Sequence, residues 1–238
     1  MTLESATPEP IWFEDDDTRA ILVDTAALPD GGQLRLMRRD GEFAIMYGRE
    51  QLMGSWDSAS EQGLARMVCD RLALPDVRLL IGGLGMGFTL AAALAATTPA
   101  ASIRVAELVP EVAAWAAGPL AHLFEGRLDD PRVSLEIADV HDVIVRNPAA
   151  FDGILLDVDN GPDGLIDLLN DRLYCNWGLR AARDALRPGG ILAVWSSYPD
   201  RDFFDRLEDA GFAVEEFDLA ANDYADAPRH VIWLARKP

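Results

Sequence analysis

The sequence predicts an α/β fold with a doubly wound, mostly parallel sheet, preceded by a small β-strand appendage. From residue 77 onward, short apolar runs alternate with helix-forming segments. The runs are apolar almost throughout, as expected for strands that are buried on both faces between helices. A glycine-rich turn follows the first of these runs, at the end of the strand where open sheets of this class bind ligands.

The length and charge of the chain limit its organisation and its partners. With 238 residues, 50% of them hydrophobic, it can bury the core of one main domain with an appendage. Acidic residues outnumber basic residues by 40 to 21, and the formal net charge is -19. Such a surface would repel a phosphate backbone, so we expect no nucleic-acid partner. The charge fits two roles, solubility and the binding of a cationic substrate.

The sequence indicates a reduced, cytoplasmic chain without a metal site or a membrane partner. Cys69 and Cys175 lie in unrelated contexts, without the spacing of a disulfide framework or a zinc site. Residues 1–10 carry acid and proline in place of the basic and apolar regions of a signal peptide, and no segment is long and apolar enough to span a membrane. The 3 histidines are scattered, and we expect them at the surface or in packing contacts.

Residues 1–57 are predicted to form the antiparallel appendage. Its β-forming runs are AILVD, QLRLMRR and EFAIMYG, and strong turn signals lie at Asp30-Gly31-Gly32 and at Asp40-Gly41. Residues 58–76 follow as a linking helix. Ser58 and Glu61 have the spacing of a capping box, and an apolar face continues beyond them.

Residues 77–238 are predicted to form the main domain. The strand candidates are VRLLIGG, SIRVAEL, RVSLEIAD, FDGILLDV and GGILAVWSS, and the helix candidates between and after them are LAAALAAT, EVAAWAAG, VHDVIVRN, LYCNWGLRAARDAL and RDFFDRLEDAGF. The last two runs, AVEEFDLA and RHVIWLARK, follow without a helix between them. We therefore expect the sheet to end in an antiparallel pair.

A glycine loop ends the first strand of the main domain. Gly83, Gly85 and Gly87 let the backbone turn sharply and approach a ligand that a Cβ would hold away, where a helix begins. Phe88 stands where a dinucleotide-binding motif has its last glycine, which disfavours NAD or FAD. We predict that this loop, with Gly82, contacts a cofactor.

Acidic residues end the next two strands. Glu107, followed by Leu108, lies where a carboxylate can accept hydrogen bonds from both hydroxyls of a ribose. Asp139 lies where it can accept from the amine of an adenine while the Val140 N–H donates to the ring. Alternatively, Asp139 caps the helix that begins at Val140. With the glycine loop, these positions predict an adenosine site.

A third acidic segment follows the strand FDGILL. Asp157 emerges at the carboxyl end of this strand, and Asp159, Asn160 and Asp163 follow on a glycine-proline turn. Carboxylates here can hold an ammonium and accept its proton as the nitrogen becomes a nucleophile. We predict catalytic roles for Asp157, Asp159 and Asn160 and a substrate contact for Asp163. An exposed Asx-rich turn is the alternative.

Taken together, the glycine loop, Glu107, Asp139 and the turn LRPGG before ILAVWSS resemble the Rossmann-like class I methyltransferase fold, which binds S-adenosylmethionine. More closely, residues 20–235 resemble the spermidine synthase (polyamine aminopropyltransferase) family, in the segments LLIGGLGMG, AELVPEV, IADV and LLDVDNGPDG. The resemblance implies a transferase that uses decarboxylated S-adenosylmethionine or S-adenosylmethionine, without a metal, and acts on a cationic amine. It also implies substrate contacts from Glu61 and Tyr174, and a homodimer built by the appendage.

The chain departs from that family in ways that keep three functions open. Gly85 stands where the family has an aspartate for the aminopropyl amine, and Ala59-Ser60-Glu61 stands in place of its Tyr-His-Glu. The open functions are aminopropyl transfer, methyl transfer to a small acceptor, and nucleoside binding by a catalytically degenerate paralogue. The missing acid at Gly85 favours methyl transfer, because intact S-adenosylmethionine carries its own carboxylate there.

Overall fold

The computed structural model describes residues 20–29, 31–158, 161–162, 171–222, 224 and 227–238. The chain divides into two compact units, Met1–Ser55 and Trp56–Pro238. Within the described residues, no helix is both long enough and apolar enough to cross a membrane.

The first unit is a four-stranded antiparallel sheet in chain order. Its strands are β1 (Ile21–Ala27), β2 (Gln33–Arg39), β3 (Glu42–Tyr47) and β4 (Glu50–Gly54). Gly31 and Gly41 both have a φ of +92° in the turns before β2 and β3, where glycine avoids the steric penalty of other residues. The predicted antiparallel appendage is therefore observed, with an additional short strand, β4, that we did not predict from the sequence.

The second unit contains the remaining strands and all the helices of the described residues. The strands are β5 (Arg78–Gly82), β6 (Ser102–Glu107), β7 (Val133–Ile137), β8 (Phe151–Leu156), β9 (Leu186–Ser196), β10 (Ala213–Ala220) and β11 (Arg229–Arg236). The helices are α1 (Ala59–Leu72), α2 (Phe88–Ala96), α3 (Pro110–Ala117), α4 (Ala121–Phe124), α5 (Val140–Val145), α6 (Asp171–Tyr174), α7 (Asn176–Ala185) and α8 (Arg201–Asp209). The helix that we predict as a linker, α1, belongs to this unit.

The seven strands of the second unit form one sheet in the order β10-β11-β9-β8-β5-β6-β7. Pairing is parallel from β9 to β7, whereas β11 lies antiparallel to both β9 and β10. The α/β fold class and the final antiparallel pair are therefore as predicted. The strand order reverses between β5 and β8, from which the chain continues in opposite directions across the sheet. Ligands bind at such a switch point, beyond the carboxyl ends of the strands.

Burial follows the position of each strand in the sheet. Every residue of β8 is buried, and β5 is buried from its second residue onward. The prediction of burial on both faces is wrong for β7, in which Ser134, Leu135 and Ile137 are exposed. The reason is that β7 is an edge strand with a neighbour on one side only.

The predicted capping box at the start of α1 is also wrong. Ser58 occupies the N-cap position, but its side chain makes no capping hydrogen bond. The Ser58 hydroxyl accepts instead from the Gln62 side chain at 2.9 Å. Glu61, only 4% exposed, turns into the protein, and its carboxyl lies 2.6 Å from the Ser60 hydroxyl. A buried glutamate with an internal partner is not available to bond the helix terminus.

Candidate functional site at the carboxyl edge of the sheet

The glycine loop between β5 and α2 is fixed by the chain that surrounds it. Gly83 has a φ of +87°, and a Cβ there would overlap the carbonyl oxygen of Asp157. Gly87 has a φ of +81°, and a Cβ there would lie 2.5 Å from the ring of Phe124. Both positions therefore require glycine, for the backbone conformation and for space.

Two further glycines complete the loop. A Cβ on Gly82 would lie 2.9 Å from the Val140 side chain, which brings the end of β5 close to the first turn of α5. Gly85 has a φ of +47°, in the left-handed region. The predicted cofactor positions Gly82 and Val140 are thus in direct contact, and the loop presents backbone rather than side chains at this edge.

Glu107 at the end of β6 is held by the backbone of the loop. Its carboxylate is 7% exposed and accepts from the Leu84 N–H and the Val109 N–H, each at 2.8 Å. Burial raises the pKa of Glu107, and the backbone amides around it oppose that rise. The amides of Gly85 and Leu108 also contribute, and acceptance from ribose hydroxyls stays a prediction. Leu108, the next residue, is 39% exposed.

Asp139 performs the capping role that was the alternative to adenine binding. It is the N-cap of α5 and accepts from the His141 N–H at 2.8 Å. Its second oxygen lies 3.4 Å from the Arg172 guanidinium. A contact between Asp139 and an adenine amine stays a prediction, and it would have to coexist with this ion pair.

Asp157 follows β8 directly and is half-buried. The Thr89 hydroxyl, on the first turn of α2, donates to its carboxylate and also lies 3.3 Å from the Glu61 carbonyl oxygen. Burial raises the pKa of Asp157 to about 6, and the bond from Thr89 opposes the rise. The side chain is therefore a carboxylate at neutral pH with more affinity for a proton than an exposed aspartate has.

Glu61 on α1 lies in the electrostatic field of Asp157. Its pKa is raised to about 8, first by burial and then by the negative charge of Asp157. The first turn of α1, which carries Glu61, is held in place by the Ala59 N–H, which donates to the Ala221 carbonyl at 2.9 Å. Of these two acids, Glu61 is the one that keeps its proton at neutral pH.

Ser60 connects this acid pair to two distant strands. Its hydroxyl oxygen lies 2.6 Å from the Glu61 carboxyl, 2.8 Å from His230 Nδ1 on β11 and 3.0 Å from Trp195 Nε1 on β9. The His230 and Trp195 rings pack edge to face with centroids 4.6 Å apart. Burial lowers the pKa of His230 to about 4, so this imidazole is neutral at neutral pH.

Sequence reasoning did not identify Ser60, Thr89 or His230 as site residues. His230 was assigned to the surface or to packing, and it does pack against Trp195, but it also bonds Ser60. No local signal could have found this cluster, because Ser60 is 170 positions from His230 and 135 from Trp195.

The remaining predicted residues divide into two groups. Asp159, Asn160 and Asp163 lie outside the described residues, so their catalytic and substrate roles stay predictions. Tyr174 is 3% exposed and packs edge to face on Phe203 in the core. This placement favours a packing role over the substrate contact that the resemblance implies for Tyr174.

Part of the loop after Asp157 can still be placed. Gly161 has a φ of +101°, and a Cβ there would overlap the Ser196 side chain at the end of β9. The loop therefore returns against the sheet edge at Gly161. Among the described residues, no group of three or more His, Cys, Asp or Glu side chains could hold a metal ion.

Comparison with known proteins supports the resemblance. No family model matches the chain. Over 120 residues it is 32% identical to polyamine aminopropyltransferase 2 of Pseudomonas aeruginosa, a match that covers 49% of this chain and 32% of that protein. The matched region is thus about a third of the length of that relative.

Solved structures extend the likeness to nearly the whole chain. The spermidine synthase of Thermotoga maritima superposes with a TM-score of 0.74, and a spermidine synthase in complex with the transition state analogue AdoDATO superposes with 0.76. Each is 18% identical, and each match covers 93% of this chain and 75% of the other. The protein therefore has the class I methyltransferase-like fold in the form found in spermidine synthases, and its sequence resembles that family.

Proposed function

We propose that the protein is a transferase that moves the aminopropyl group of decarboxylated S-adenosylmethionine to a cationic small-molecule amine. The proposal is supported by the sequence match to a polyamine aminopropyltransferase and by the spermidine synthase fold. The observation that carries it is Asp157, a half-buried carboxylate at the topological switch point, with a pKa of about 6, against the glycine loop.

The residues of the glycine loop fit a sulfur-bearing adenosine. The loop offers bare backbone where a Cβ on Gly83 or Gly87 would collide with the protein. Glu107 is held beside the loop by backbone amides, where its carboxylate would accept from ribose hydroxyls. The donor, when bound, supplies a carbon activated by an adjacent sulfonium. The roles of this chain are to hold the nucleoside, to bind the amine and to receive its proton.

Asp157 would perform the proton step. At neutral pH its carboxylate is ionised and can hold an ammonium by a charge-assisted hydrogen bond. As the ammonium gives its proton to Asp157, the nitrogen forms a bond to the aminopropyl carbon, the carbon–sulfur bond breaks, and methylthioadenosine leaves. A positioned base of this kind contributes about 100- to 10,000-fold in rate. Asp159 and Asn160 are proposed to assist, and Asp163 to contact the amine.

The wider surroundings of this function are proposals as well. The net charge of -19 favours a cationic substrate and disfavours a nucleic-acid partner. We also propose a cytoplasmic homodimer that uses neither a membrane nor a metal.

Methyl transfer from intact S-adenosylmethionine is the second candidate, because of one specific residue. Gly85, with a φ of +47°, carries no carboxylate for the aminopropyl amine. A pocket without that acid would repel the carboxylate of intact S-adenosylmethionine less.

Two measurements separate these candidate functions. The first is calorimetric titration with the intact and the decarboxylated donor, and the second is analysis of the products formed with a primary diamine. Aminopropyl transfer predicts methylthioadenosine that appears only with the diamine. S-adenosylhomocysteine would establish methyl transfer instead, and binding without either product would indicate a degenerate paralogue. Gly85→Asp is the matched variant, since aspartate tolerates the left-handed region better than most residues. It should weaken the binding of intact donor and strengthen that of decarboxylated donor.

A further inference from the structure

The Ser60 hydroxyl has three hydrogen-bonding neighbours, the number that one hydroxyl can satisfy. A hydroxyl donates one hydrogen bond and accepts two. Trp195 Nε1–H can only donate, so it uses one acceptor position of Ser60 Oγ at 3.0 Å. One donor and one acceptor position remain for Glu61 at 2.6 Å and His230 Nδ1 at 2.8 Å.

Two proton arrangements satisfy all of these contacts. In the first, Glu61 is protonated and donates to Ser60, and Ser60 donates to an unprotonated Nδ1 of His230, whose proton sits on Nε2. In the second, Glu61 is ionised and accepts from Ser60, and Ser60 accepts from the Nδ1–H of His230. The imidazole is neutral in both, and only its tautomer differs.

We propose that Glu61, Ser60 and His230 form a proton relay, in which loss of the Glu61 proton switches the tautomer of His230. The carboxyl O–H bond of Glu61 breaks as that proton binds Ser60 Oγ. The original Ser60 proton moves to His230 Nδ1, and the Nε2 proton leaves to water, since the His230 side chain is partly exposed. One proton leaves, one negative charge remains on Glu61, and no oxidant or second reactant is needed.

The electrostatic surroundings keep the proton on Glu61 at neutral pH. Among the described residues, the ionisable groups that act on Glu61 are Asp157 after β8 and Asp57 before α1, and both raise its pKa, which lies near 8. His230 on β11 is the third ionisable group nearby, and burial keeps its ring neutral. Trp195 on β9 and Thr89 on α2 add only uncharged groups to this cluster.

The relay would release one proton from Glu61 when Asp157 takes one up from the amine. This role rests on the proposed function. When Asp157 receives a proton from the amine, its negative charge disappears, and one of the causes that hold the proton on Glu61 disappears with it. Glu61 then gives up its proton more readily, through Ser60 to His230. Ser60 and His230 act here as positioning residues, because neither needs to touch the substrate.

Nitrogen-15 NMR of the full chain labelled at histidine tests the relay without any turnover, since the two neutral tautomers have different ring-nitrogen shifts. In the wild type, His230 should change from the Nε2–H to the Nδ1–H tautomer as the pH rises through about 8. Glu61→Gln, whose amide donates but cannot ionise, should hold the Nε2–H tautomer throughout. Ser60→Ala should abolish the link between pH and tautomer, and Ser60→Thr, which restores a hydroxyl, should recover it.

Controls make the result decisive. His230→Gln assigns the signal, and Trp195→Phe, which removes only a fixed donor, should leave the switch in place. A single His230 tautomer across this pH range in the wild type, or a switch that persists in both Glu61→Gln and Ser60→Ala, would overturn the relay. If the switch is present while no transfer product forms, the relay stands and the proposed function fails.

Discussion

Two buried glutamates at the same edge of the sheet are held in different ways. Glu107 is 7% exposed and Glu61 is 4% exposed. Glu107 is surrounded by backbone amides of the glycine loop and the segment after β6, which favour its ionised form against burial. At Glu61, the charge of Asp157 adds to the effect of burial, and the main opposing contact is one hydroxyl, that of Ser60.

The difference shows how one residue type serves two purposes. Amide dipoles that are fixed by the fold stabilise a negative charge in place, which suits a carboxylate that must accept from a ligand. A like charge nearby disfavours ionisation, which suits a group that stores a proton. The following predictions test whether Glu107 is the ligand-binding acid and Glu61 the proton-storing acid.

The largest effect is expected for Asp157→Asn. Loss of the proton acceptor should reduce turnover about 100- to 10,000-fold while donor affinity changes little. The change should also lower the pKa of Glu61, by removing the charge beside it, and leave Glu107 unaffected. Steady-state kinetics measure the turnover of this variant, and calorimetric titration measures its donor affinity. An equal loss of turnover and of donor affinity would instead make Asp157 a donor ligand.

Gly83→Ala tests the backbone that holds the Glu107 side of the site. A Cβ at Gly83 would overlap the carbonyl of Asp157, and the φ of +87° at this position adds strain. We therefore expect the free energy of unfolding to fall by at least about 3 kcal/mol. Gly126→Ala is the matched control, because Gly126 has a φ of +77° with no atom within 4 Å of a Cβ. It should cost only about 1–2 kcal/mol. Urea unfolding compares them, and equal costs would refute the steric argument.

The same substitution at both glutamates compares them directly. Glu107→Gln places an NH2 group opposite the Leu84 or the Val109 N–H, which should cost about 1–3 kcal/mol of unfolding free energy at pH 7. Glu61→Gln imitates a protonated glutamate without the need to hold a proton at pH 7, so it should leave the unfolding free energy unchanged or raise it. Urea titrations at pH 7 distinguish the two. A larger loss at Glu61 than at Glu107 would reverse the assignment.

The last comparison concerns the pH dependence of stability. The pKa of Glu61 rises from 4.5 to about 8 on folding, so the folded state binds more protons between these values and stability falls as pH rises through this interval. Glu61→Gln should make that fall shallower. Glu125→Gln, at an exposed glutamate that pairs with Arg127, is the control. Identical slopes in wild type and Glu61→Gln would contradict the raised pKa.

The placement of the residues that we predict to contact a cofactor could be derived from the sequence. Gly82 and Glu107 end their strands and Asp139 lies two residues beyond β7, and parallel strands bring their carboxyl ends to one edge. The same argument correctly placed Asp157 directly after β8, and its catalytic role stays a prediction. The failures have physical causes: β7 is exposed because it is an edge strand, and Glu61 is turned inward rather than into a capping box.

The sequence by itself determined the alternation of strands and helices, the antiparallel ending, and the positions of glycine and acid at strand ends, because these depend on hydrophobic periodicity and on residues close along the chain. Only the tertiary structure decided that Ser60 contacts Trp195 and His230, and that Thr89 bonds Asp157. These contacts join segments far apart in sequence, and the burial and neighbouring charges that set the pKa of Glu61 exist only once those segments are packed together.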